Sequence, residues 1–316
     1  MNACVLFALT LAGVALDQWW GEPRRAHPLV GFGRVANALE LRLNPDHAGT
    51  VRLVWPRVCG VFAWILAVLL PTALAVYLLS LLPFALACAL HALLLWFALG
   101  ARSLAQHIAP IEHALAVEDL AQARQLTARI VSRDLSRADT PAVARAAIES
   151  ALENGNDAIF GALFWFAVAG GPGALAFRLA NTLDAMWGYR TPRLLHFGWA
   201  AARLDDGLNY VPARLTALAY ALCGHTRSAL HCWRTQAPTW DSPNAGPVMA
   251  SGAGSLRVLC GGAAWYHGAL EARPPLGTGA APQSADVGRA LRLVHYAMAL
   301  WLAVHGALAL LCDWII

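Results

Sequence analysis

The sequence predicts an all-α, polytopic integral membrane protein, and three observations support that fold class. Hydrophobic residues make up 58 % of the 316-residue chain and charged residues only 13 %, whereas soluble domains are about 25 % charged. Long stretches carry no charge at all, and the cationic residues are confined to the segments between them. Lipid is therefore the predicted solvent for much of the chain, which excludes a disordered protein and an ordinary cytosolic globule.

Four membrane spans are predicted: one at the start of the chain, two in its first third and one at its end. The uncharged opening segment lacks the positive n-region of a cleaved signal peptide, so it is predicted to be an uncleaved span. Residues 58–101 contain no Asp, Glu or Arg and would form a helix about 66 Å long, roughly twice the hydrocarbon thickness. This stretch must therefore cross twice, with the turn near Pro71 or Pro83. The predicted spans are 1–16, 58–80, 83–101 and 294–312.

Two further apolar segments, 158–177 and 208–224, are predicted to be re-entrant or membrane-embedded. Gly170-Gly171-Pro172-Gly173 interrupts the first of them with residues that break helices. A single crossing there would also export the five arginines between Arg178 and Arg214. The sequence therefore favours a re-entrant hairpin or a membrane-buried helix pair, in addition to about four to five membrane helices.

Arginine placement predicts the orientation of the chain. None of the arginines precedes Asp17 or follows Leu293, and loops rich in Arg are cytoplasmic by the positive-inside rule. The regions 17–57, 102–157 and 225–293 are then cytoplasmic, with both termini on the opposite side. We treat 1–316 as one membrane-embedded domain and 271–286, rich in Pro and Gly, as a plain linker.

The residue types exclude several classes of chemistry. The sequence contains no lysine, and all 23 cationic residues are arginine, which excludes a Walker A phosphate loop and Schiff-base catalysis. A net charge of +4 without a basic run interleaved with aromatic residues argues against a nucleic-acid partner. The seven cysteines form no CxxC pair, and free buried thiols are the default interpretation.

A helix that opens at Thr140-Pro141, with Asp139 or Thr140 as its N-cap, carries the first polar cluster. Arg145 is followed at i, i+4 spacings by three carboxylates, Glu149, Glu153 and Asp157, which share one helix face. A magnesium ion would stabilise such a cluster together with substrate phosphates. The alternative is a solvated helix face on which Arg145 offsets Glu149.

The second polar cluster lies between two apolar stretches, near the membrane boundary. Charged groups at that depth are costly and are functional hypotheses by default. The alternative is an interfacial network in which Arg203 and Arg214 neutralise the aspartates, and helical spacing would pair Asn209 with Asp205 or Asp206. The cluster comprises Asn181, Asp184, Arg203, Asp205, Asp206, Asn209 and Arg214.

Two shorter motifs complete the set. Ser242-Pro243-Asn244-Ala245-Gly246 predicts a tight turn in which Asn244 or Gly246 takes a positive φ, and backbone N–H groups of such a turn can hold an anion. His27 follows the first span and is either a structural histidine or a site residue. Trp19, Trp20 and Trp187 either stack on a ligand or anchor the interface.

In this order the motifs resemble the adenosylcobinamide-phosphate synthase family of cobalamin biosynthesis, the CobD/CbiB-type membrane proteins. The resemblance spans nearly the whole chain, and its specificity comes from several motifs in the right order. The motifs are Asp17 to Pro23 with His27-Pro28, Arg133-Asp134, Glu149 to Asp157, Phe177 to Asp184, HFG at His196, ARLDD through Asn209, Pro212-Ala213-Arg214, SPNAG at Ser242, Gly261-Gly262 and Tyr266.

The resemblance implies an ATP- and Mg²⁺-dependent amide ligase that joins adenosylcobyric acid to (R)-1-amino-2-propanol phosphate. A carboxylate is a poor electrophile, so ATP must first convert it to an acyl phosphate or an adenylate, and phosphoryl transfer depends on positioning and charge neutralisation. We assign Glu149, Glu153 and Asp157 to Mg²⁺, with Asp205 or Asp206 completing the site. We assign Arg178, Arg203 and Arg214, with Asn181 and Asn209, to phosphates or nucleotide; Ser242, Asn244 and Gly246 to nucleotide or aminopropanol phosphate; and Asp184 or His27 to the amine proton.

The resemblance also implies a multi-pass protein of the bacterial cytoplasmic (inner) membrane, with a site on the cytoplasmic side. Other membrane enzymes of the cobalamin pathway and a second copy of the chain are the expected partners besides lipid and substrates. Two alternatives remain open. One is an AmpE-like signalling or accessory protein, and the other is a corrinoid transporter, whose broken helices would line a path.

Overall fold

The computed structural model describes residues 2–23, 28–45, 54–266 and 268–315, and helices dominate them. Short π-helical turns at Ile65–Leu69 and Asn156–Phe160 and a 3₁₀ turn at Ala237–Thr239 join consecutive helices. The helices are α1 Ala3–Trp20, α2 Pro28–Leu43, α3 Val54–Trp64, α4 Leu70–Leu81, α5 Phe84–Ala98, α6 Ala101–Ala116, α7 Leu120–Thr127, α8 Thr140–Gly155, α9 Gly161–Trp187, α10 Trp199–Cys223, α11 Thr226–Gln236, α12 Ala245–Leu256 and α13 Ser284–Ile315.

Four short strands interrupt the helices between α12 and α13. Strand β1 (Leu259–Gly261) pairs antiparallel with β4 (Pro275–Gly277), and β2 (Ala264–Tyr266) pairs antiparallel with β3 (Ala269–Glu271). The prediction of a plain linker over 271–286 is therefore wrong for its first part, because Glu271 closes β3 and 275–277 form β4.

Five helical segments in the described residues are long and apolar enough to cross a membrane, which confirms the polytopic all-α class. They are Ala3–Trp20, Val54–Leu81, Phe84–Ala116, Thr140–Trp187 and Ser284–Trp314. Helix α10, which contains all of the predicted segment 208–224 except its last residue, is not among them.

The uncharged stretch 58–101 turns at Pro83 and not at Pro71. Pro83 lies between α4 and α5, whereas Pro71 lies in the first turn of α4. A proline inside a continuous helix removes one backbone hydrogen bond. The π-helical turn Ile65–Leu69 directly precedes it, and local π turns are one way in which a helix adjusts.

The segment Thr140–Trp187 contains a sharp break at Ala169 and Gly170, where φ and ψ are −135° and 16°, then 63° and −154°. The two legs fold back on each other: a Cβ on Gly161 would collide with the Phe177 ring, and one on Gly173 would collide with the backbone oxygen of Trp165. In a straight helix Gly161 and Phe177 would lie about 24 Å apart. The segment is therefore a helical hairpin, and the predicted break at 170–173 is confirmed.

A histidine on α5 fixes the tip of this hairpin. The Gly171 N–H, at the start of the second leg, donates to Nδ1 of His91 at 2.8 Å. The His91 ring also packs edge-on against Phe166 of the first leg, with ring centroids 6.5 Å apart. His91 thus satisfies a backbone donor that the break leaves without a helical partner.

The chain, predicted as one membrane-embedded domain, forms two compact units. The first unit contains 1–100, 161–209 and 309–316, and the second contains 101–160 and 210–308. In the first unit a buried core joins α2, α3, α4, α9 and the segment before α10, with Trp187 and Phe197 packed at 5.1 Å between ring centroids.

In the second unit small residues let α8, α11 and α12 approach closely. A Cβ on Gly252 would lie 2.6 Å from the Leu152 side chain, and one on Gly254 would lie 2.9 Å from the backbone of Ala229. The Tyr220 hydroxyl donates to the Leu152 carbonyl oxygen at 3.0 Å. Glu149 and Glu153 of α8 line a common cavity with Ala245 and Met249 of α12.

Candidate functional site

A polar cavity of about 480 Å³ lies within the second unit, at the meeting point of two sequence motifs that are about 90 residues apart. One wall comes from α8 and the segment before it, and the other from the turn before α12 and the strands after it. Its lining residues include Arg133, Glu149, Ser150, Glu153, Asn154, Trp240, Asp241, Ser242, Met249, Tyr266, Glu271 and Arg273.

Glu149 is the buried centre of this cavity wall, with a relative exposure of 1 %. Its Oε2 accepts from Nη2 of Arg133 and, at 2.8 Å, from Nη2 of Arg273, while its Oε1 accepts from the Gly261 N–H at 2.7 Å. Arg145 does not offset Glu149 directly, as the solvated-face alternative predicts, but donates to the Gly261 carbonyl oxygen at 3.2 Å. Both Glu149 oxygens are therefore engaged by protein donors.

Arg133 and Tyr266 form one side of the arrangement. Arg133 Nε donates to the Tyr266 hydroxyl oxygen at 3.0 Å. Burial favours the neutral guanidine, but the Glu149 charge outweighs it, and the pKa of Arg133 lies above its usual range. Arg133 is therefore a permanent cation in the cavity wall.

Arg273 and Trp240 form the other side. The Arg273 guanidinium carbon lies 4.6 Å from the centre of the Trp240 ring, a cation–π arrangement. Arg273 Nη1 is buried and has no hydrogen-bond partner among the described residues. The guanidinium is thus held by Glu149 and Trp240, with one nitrogen available to a ligand.

Glu153 lies one turn after Glu149 and also lines the cavity. Within the part of the chain that the structure describes, its carboxylate accepts no hydrogen bond. Asp157 follows in the π-helical turn Asn156–Phe160, where Asn156 Nδ2 donates to its Oδ1 at 2.9 Å. The wider turn breaks the i, i+4 phase, so Asp157 is not among the residues that line the cavity.

The three carboxylates do not form a ready-made metal cluster. No group of three or more His, Cys, Asp or Glu side chains suited to a metal ion occurs among the described residues. Two of the three, Glu149 and Glu153, share the cavity. The assignment of all three to Mg²⁺ stays a prediction.

The Ser242 turn forms the other wall, with a different conformation from the predicted one. Ser242 Oγ accepts from the backbone N–H groups of Asn244 and Ala245 at 3.3 and 3.1 Å, and so satisfies the first backbone donor of α12. Asn244 has a φ of −111°, and Gly246 lies in the first turn of α12 without a positive φ. The prediction of a positive φ is therefore wrong. Glycine is needed at position 246 for space instead, because a Cβ there would lie 2.8 Å from the Ala237 carbonyl oxygen.

Arg214 is tied to the same turn. Its Nη1 donates to Asn244 Oδ1 at 2.7 Å and to the Tyr210 carbonyl oxygen at 3.0 Å, and its guanidinium carbon lies 3.6 Å from the Tyr210 ring centre. Asn244 is buried. The structure therefore joins Arg214 and Asn244, two residues predicted to hold phosphate or nucleotide.

The aspartate cluster belongs to the first unit. Asn209 Nδ2 donates to Asp205 Oδ2 at 3.0 Å, which is the i, i+4 pairing predicted from the sequence. Arg203 Nη1 lies 3.7 Å from Asp206 Oδ2. Burial raises the pKa of Asp206, and the Arg203 charge opposes that rise. Asp184 lies near enough to Asp206 for their charges to interact.

Arg178 and Asn181 lie on the second leg of the hairpin in α9. Arg178 Nη2 lies 3.4 Å from Glu22 Oε1, in the motif that follows the first span. His27, from the same motif, lies outside the described residues.

The predicted site residues therefore divide between the two units. The first unit holds Arg178, Asn181, Asp184, Arg203, Asp205, Asp206 and Asn209, and the second holds Glu149, Glu153, Asp157, Arg214, Ser242, Asn244 and Gly246. Arg273 and Trp240 line the cavity but were not predicted as site residues from the sequence. Arg273 stands in the segment that composition assigns to a linker, and only its charge next to two prolines distinguishes it.

The described residues contain several apolar helices long enough to cross a membrane, a helical hairpin that breaks at Gly170, and a polar cavity in which Glu149 binds Arg133 and Arg273. These features define a polytopic membrane protein with a polar site. A sequence profile described as CobD/Cbib protein matches residues 10–294. The chain belongs to the CobD/Cbib family, which acts in cobalamin biosynthesis.

Relatives of this chain carry the same description. It is 58 % identical over 299 residues to "Cobalamin biosynthesis protein CobD" of Stutzerimonas stutzeri, covering 95 % of this chain and 96 % of the relative. The protein of the same name from Chromobacterium violaceum is 54 % identical over 311 residues, covering 98 % of each chain. The Mycobacterium tuberculosis protein is 42 % identical over 288 residues, covering 90 % of this chain and 89 % of the relative. No solved structure matches the chain.

Proposed function

We propose that this protein is an ATP- and Mg²⁺-dependent amide ligase, an adenosylcobinamide-phosphate synthase. It would join the free carboxylate of adenosylcobyric acid to the amine of (R)-1-amino-2-propanol phosphate and give adenosylcobinamide phosphate. Family membership supports the pathway, and the observation that supports the chemistry is the cavity that combines Arg133, Arg273 and Glu153.

The reaction needs cations beside phosphates and a group that takes a proton. Amide formation requires a neutral amine, so an acceptor must remove the ammonium proton before the amine attacks the activated carboxyl. Arg133 and Arg273 line the same cavity as Glu153. A lysine-free chain has only arginine for this role, and its planar fork suits phosphate. The cavity thus offers cations beside phosphate and, in Glu153, a carboxylate suited to magnesium.

The carboxylates fit magnesium unequally. Glu153 fits a role as an oxygen ligand, since its carboxylate faces the cavity without a hydrogen bond from any described residue. Glu149 fits less well, because three protein donors engage its oxygens. Magnesium would neutralise phosphate charge when bound. Asp157 and the Asp205–Asp206 pair are the further carboxylates proposed for it.

The aspartates and arginines of the first unit support the remaining roles. We propose Asp184 as an acceptor of the amine proton and Arg178 and Arg203 as phosphate contacts, with Asn181 and Asn209 beside them. In the second unit, Ser242, Asn244, Gly246 and Arg214 would shape the pocket for the nucleotide or the aminoalkyl phosphate. The proposed location is the cytoplasmic membrane, with the site on its cytoplasmic face.

The test is a reconstituted reaction in detergent. Purified protein is mixed with adenosylcobyric acid, (R)-1-amino-2-propanol phosphate and MgATP, and the corrinoid is followed by mass spectrometry. We expect a product heavier by the aminopropanol phosphate minus water that requires both ATP and Mg²⁺. Failure to form product while corrinoid and nucleotide also fail to bind would favour the non-catalytic, AmpE-like alternative. Corrinoid binding that is independent of nucleotide, without turnover, would favour a transporter.

Glu153→Gln tests the carboxylate within that assay. Loss of a metal ligand or its support typically costs 10- to 100-fold, so we expect turnover to fall by at least about tenfold while the protein still inserts and purifies. The matched control is Glu118→Gln, an exposed glutamate of the same unit between α6 and α7. Turnover of Glu153→Gln at the control level would contradict the assignment.

A further inference from the structure

We propose that Arg133 and Arg273, clamped side by side by Glu149, form a binding site for a phosphate monoester or terminal phosphate in the cavity of the second unit. The inference rests on the proposed function only for the identity of its ligands. The structure also assigns Glu149 a different role from the one predicted from its spacing. Glu149 is a positioning residue for two guanidinium groups.

The first argument is charge. The triad of two guanidiniums and the one carboxylate that they bond carries a net charge of +1 and is largely withdrawn from solvent: the side chains of Arg133, Arg273 and Glu149 are 10 %, 13 % and 2 % exposed. Glu153, Asp241 and Glu271 also line the cavity, so the cationic excess is local to this triad. A buried cationic excess favours an anionic ligand, because water screens it poorly. A phosphate monoanion would neutralise the +1 charge of this triad.

Arg273 also has a hydrogen-bond donor that no described residue uses. Arg273 Nη1 is buried and has no hydrogen-bond partner among the described residues. Leaving a buried donor unpaired costs free energy, and such groups call for an explanation. A ligand oxygen placed in the cavity would satisfy it. Tetrahedral phosphate offers several oxygens, so it can contact both arginines at once.

The guanidinium groups of Arg133 and Arg273 are also held rigidly. Arg133 is held by Glu149 and by the Tyr266 hydroxyl, and Arg273 is held by Glu149 and the Trp240 ring. Glu149 is itself fixed by the Gly261 N–H, and Arg145 holds the carbonyl of the same glycine. The two guanidiniums are therefore ordered before a ligand arrives, which lowers the entropy cost of binding.

Two phosphate-bearing ligands of the proposed reaction share this chemistry. One is (R)-1-amino-2-propanol phosphate, and the other is MgATP. The experiment measures the binding of each by isothermal titration calorimetry to protein in detergent, and aminopropanol without its phosphate serves as a third probe. Turnover is not needed, so a failure of the ligase proposal leaves this test intact.

Arg273→Lys is the principal variant, since it keeps the charge but loses the planar fork and its stacking on Trp240. We expect at least a tenfold loss of affinity for whichever phosphate ligand occupies the pair. We expect less than a twofold change for aminopropanol. Arg273→Gln should lose more, and Arg227→Ala, at an exposed position of α11 in the same unit, should lose nothing.

A loss confined to aminopropanol phosphate would support the site and assign it to the amine substrate. A loss confined to MgATP would support it and assign it to the nucleotide. Unchanged affinity for both ligands in folded Arg273→Lys and Arg273→Gln, or binding of neither ligand by the wild-type protein, would overturn the proposal. If the protein forms product but the Arg273 variants keep the wild-type affinity for both phosphate ligands, the phosphate site is wrong and the ligase proposal stands.

Discussion

Individual buried side chains in this protein carry more than one task, and Glu149 is the clearest case. Its carboxylate joins Arg133, Arg273 and the β1 backbone across separations of 16, 124 and 112 residues. A buried ion pair stabilises a fold little relative to an apolar replacement, but loss of one partner leaves the other charge uncompensated. Glu149 is therefore expected to matter for folding as well as for the site.

Glu149→Gln should lower the thermal unfolding temperature of the detergent-solubilised protein. Removing one partner of a buried pair costs about 3–5 kcal/mol, because two guanidiniums then face each other without their carboxylate. Differential scanning fluorimetry measures the change, and Glu118→Gln is the matched control. An unchanged melting temperature, with a raised Mg²⁺ requirement instead, would restore Glu149 to the metal-ligand role predicted from its spacing.

Among the elements, the hairpin 161–187 has the sharpest conformational requirement. Gly170 has a φ of 63° and a ψ of −154°, in a region that is accessible essentially only to glycine. A Cβ there would also lie 2.8 Å from the His91 ring. The tip is consequently determined by one glycine and one histidine.

Gly170→Ala should destabilise the protein by about 1–3 kcal/mol through backbone strain, and His91→Ala by about 1–3 kcal/mol through the unpaired Gly171 N–H. The control is Gly31→Ala on α2, where a Cβ meets nothing within 4 Å. Thermal unfolding in detergent gives the comparison. Equal stability of Gly170→Ala and Gly31→Ala would mean that the tip tolerates an ordinary residue.

The sequence predicted this element because its signal is local. Gly170 to Gly173 break a helix by their own backbone properties, and the five arginines beyond them predict that the chain returns to the cytoplasmic side. Asp139 as N-cap of α8, the turn at Pro83 and the Asp205–Asn209 pair are local in the same sense.

What could not be predicted depends on distant contacts. Arg273 meets Glu149 only after the chain has folded, and the prolines and glycines around it are typical of a linker. The π-helical turn at Asn156–Phe160 has no composition signal, yet it takes Asp157 out of phase with Glu149 and Glu153. Gly246 is needed for packing against Ala237 and not for a turn.

For the whole molecule, the hairpin determines how many times the chain crosses the membrane and on which side its flanking residues lie. If 140–187 folds back, four crossings remain in the described residues, and the positions before and after the hairpin lie on one side. A single crossing would place them on opposite sides and would export the arginines that follow Phe177.

Single cysteines on a background without the seven native ones distinguish the two arrangements. We expect Asp119→Cys and Arg190→Cys to react with a membrane-impermeant maleimide only after spheroplasts are permeabilised, and Leu82→Cys, between α4 and α5, to react beforehand. The same positions labelled in detergent control for burial. Reaction of Arg190→Cys in intact spheroplasts would contradict the fold-back.

The interleaving of the two units also has a consequence for biosynthesis. The first unit takes its residues from the beginning, the middle and the last segment of the chain, and the Cys4 N–H donates to Asp313 Oδ2 at 3.4 Å. Cys4 is synthesised 309 residues before Asp313, and multi-unit chains generally fold as they are synthesised. Helix α1 therefore enters the bilayer well before this contact can form.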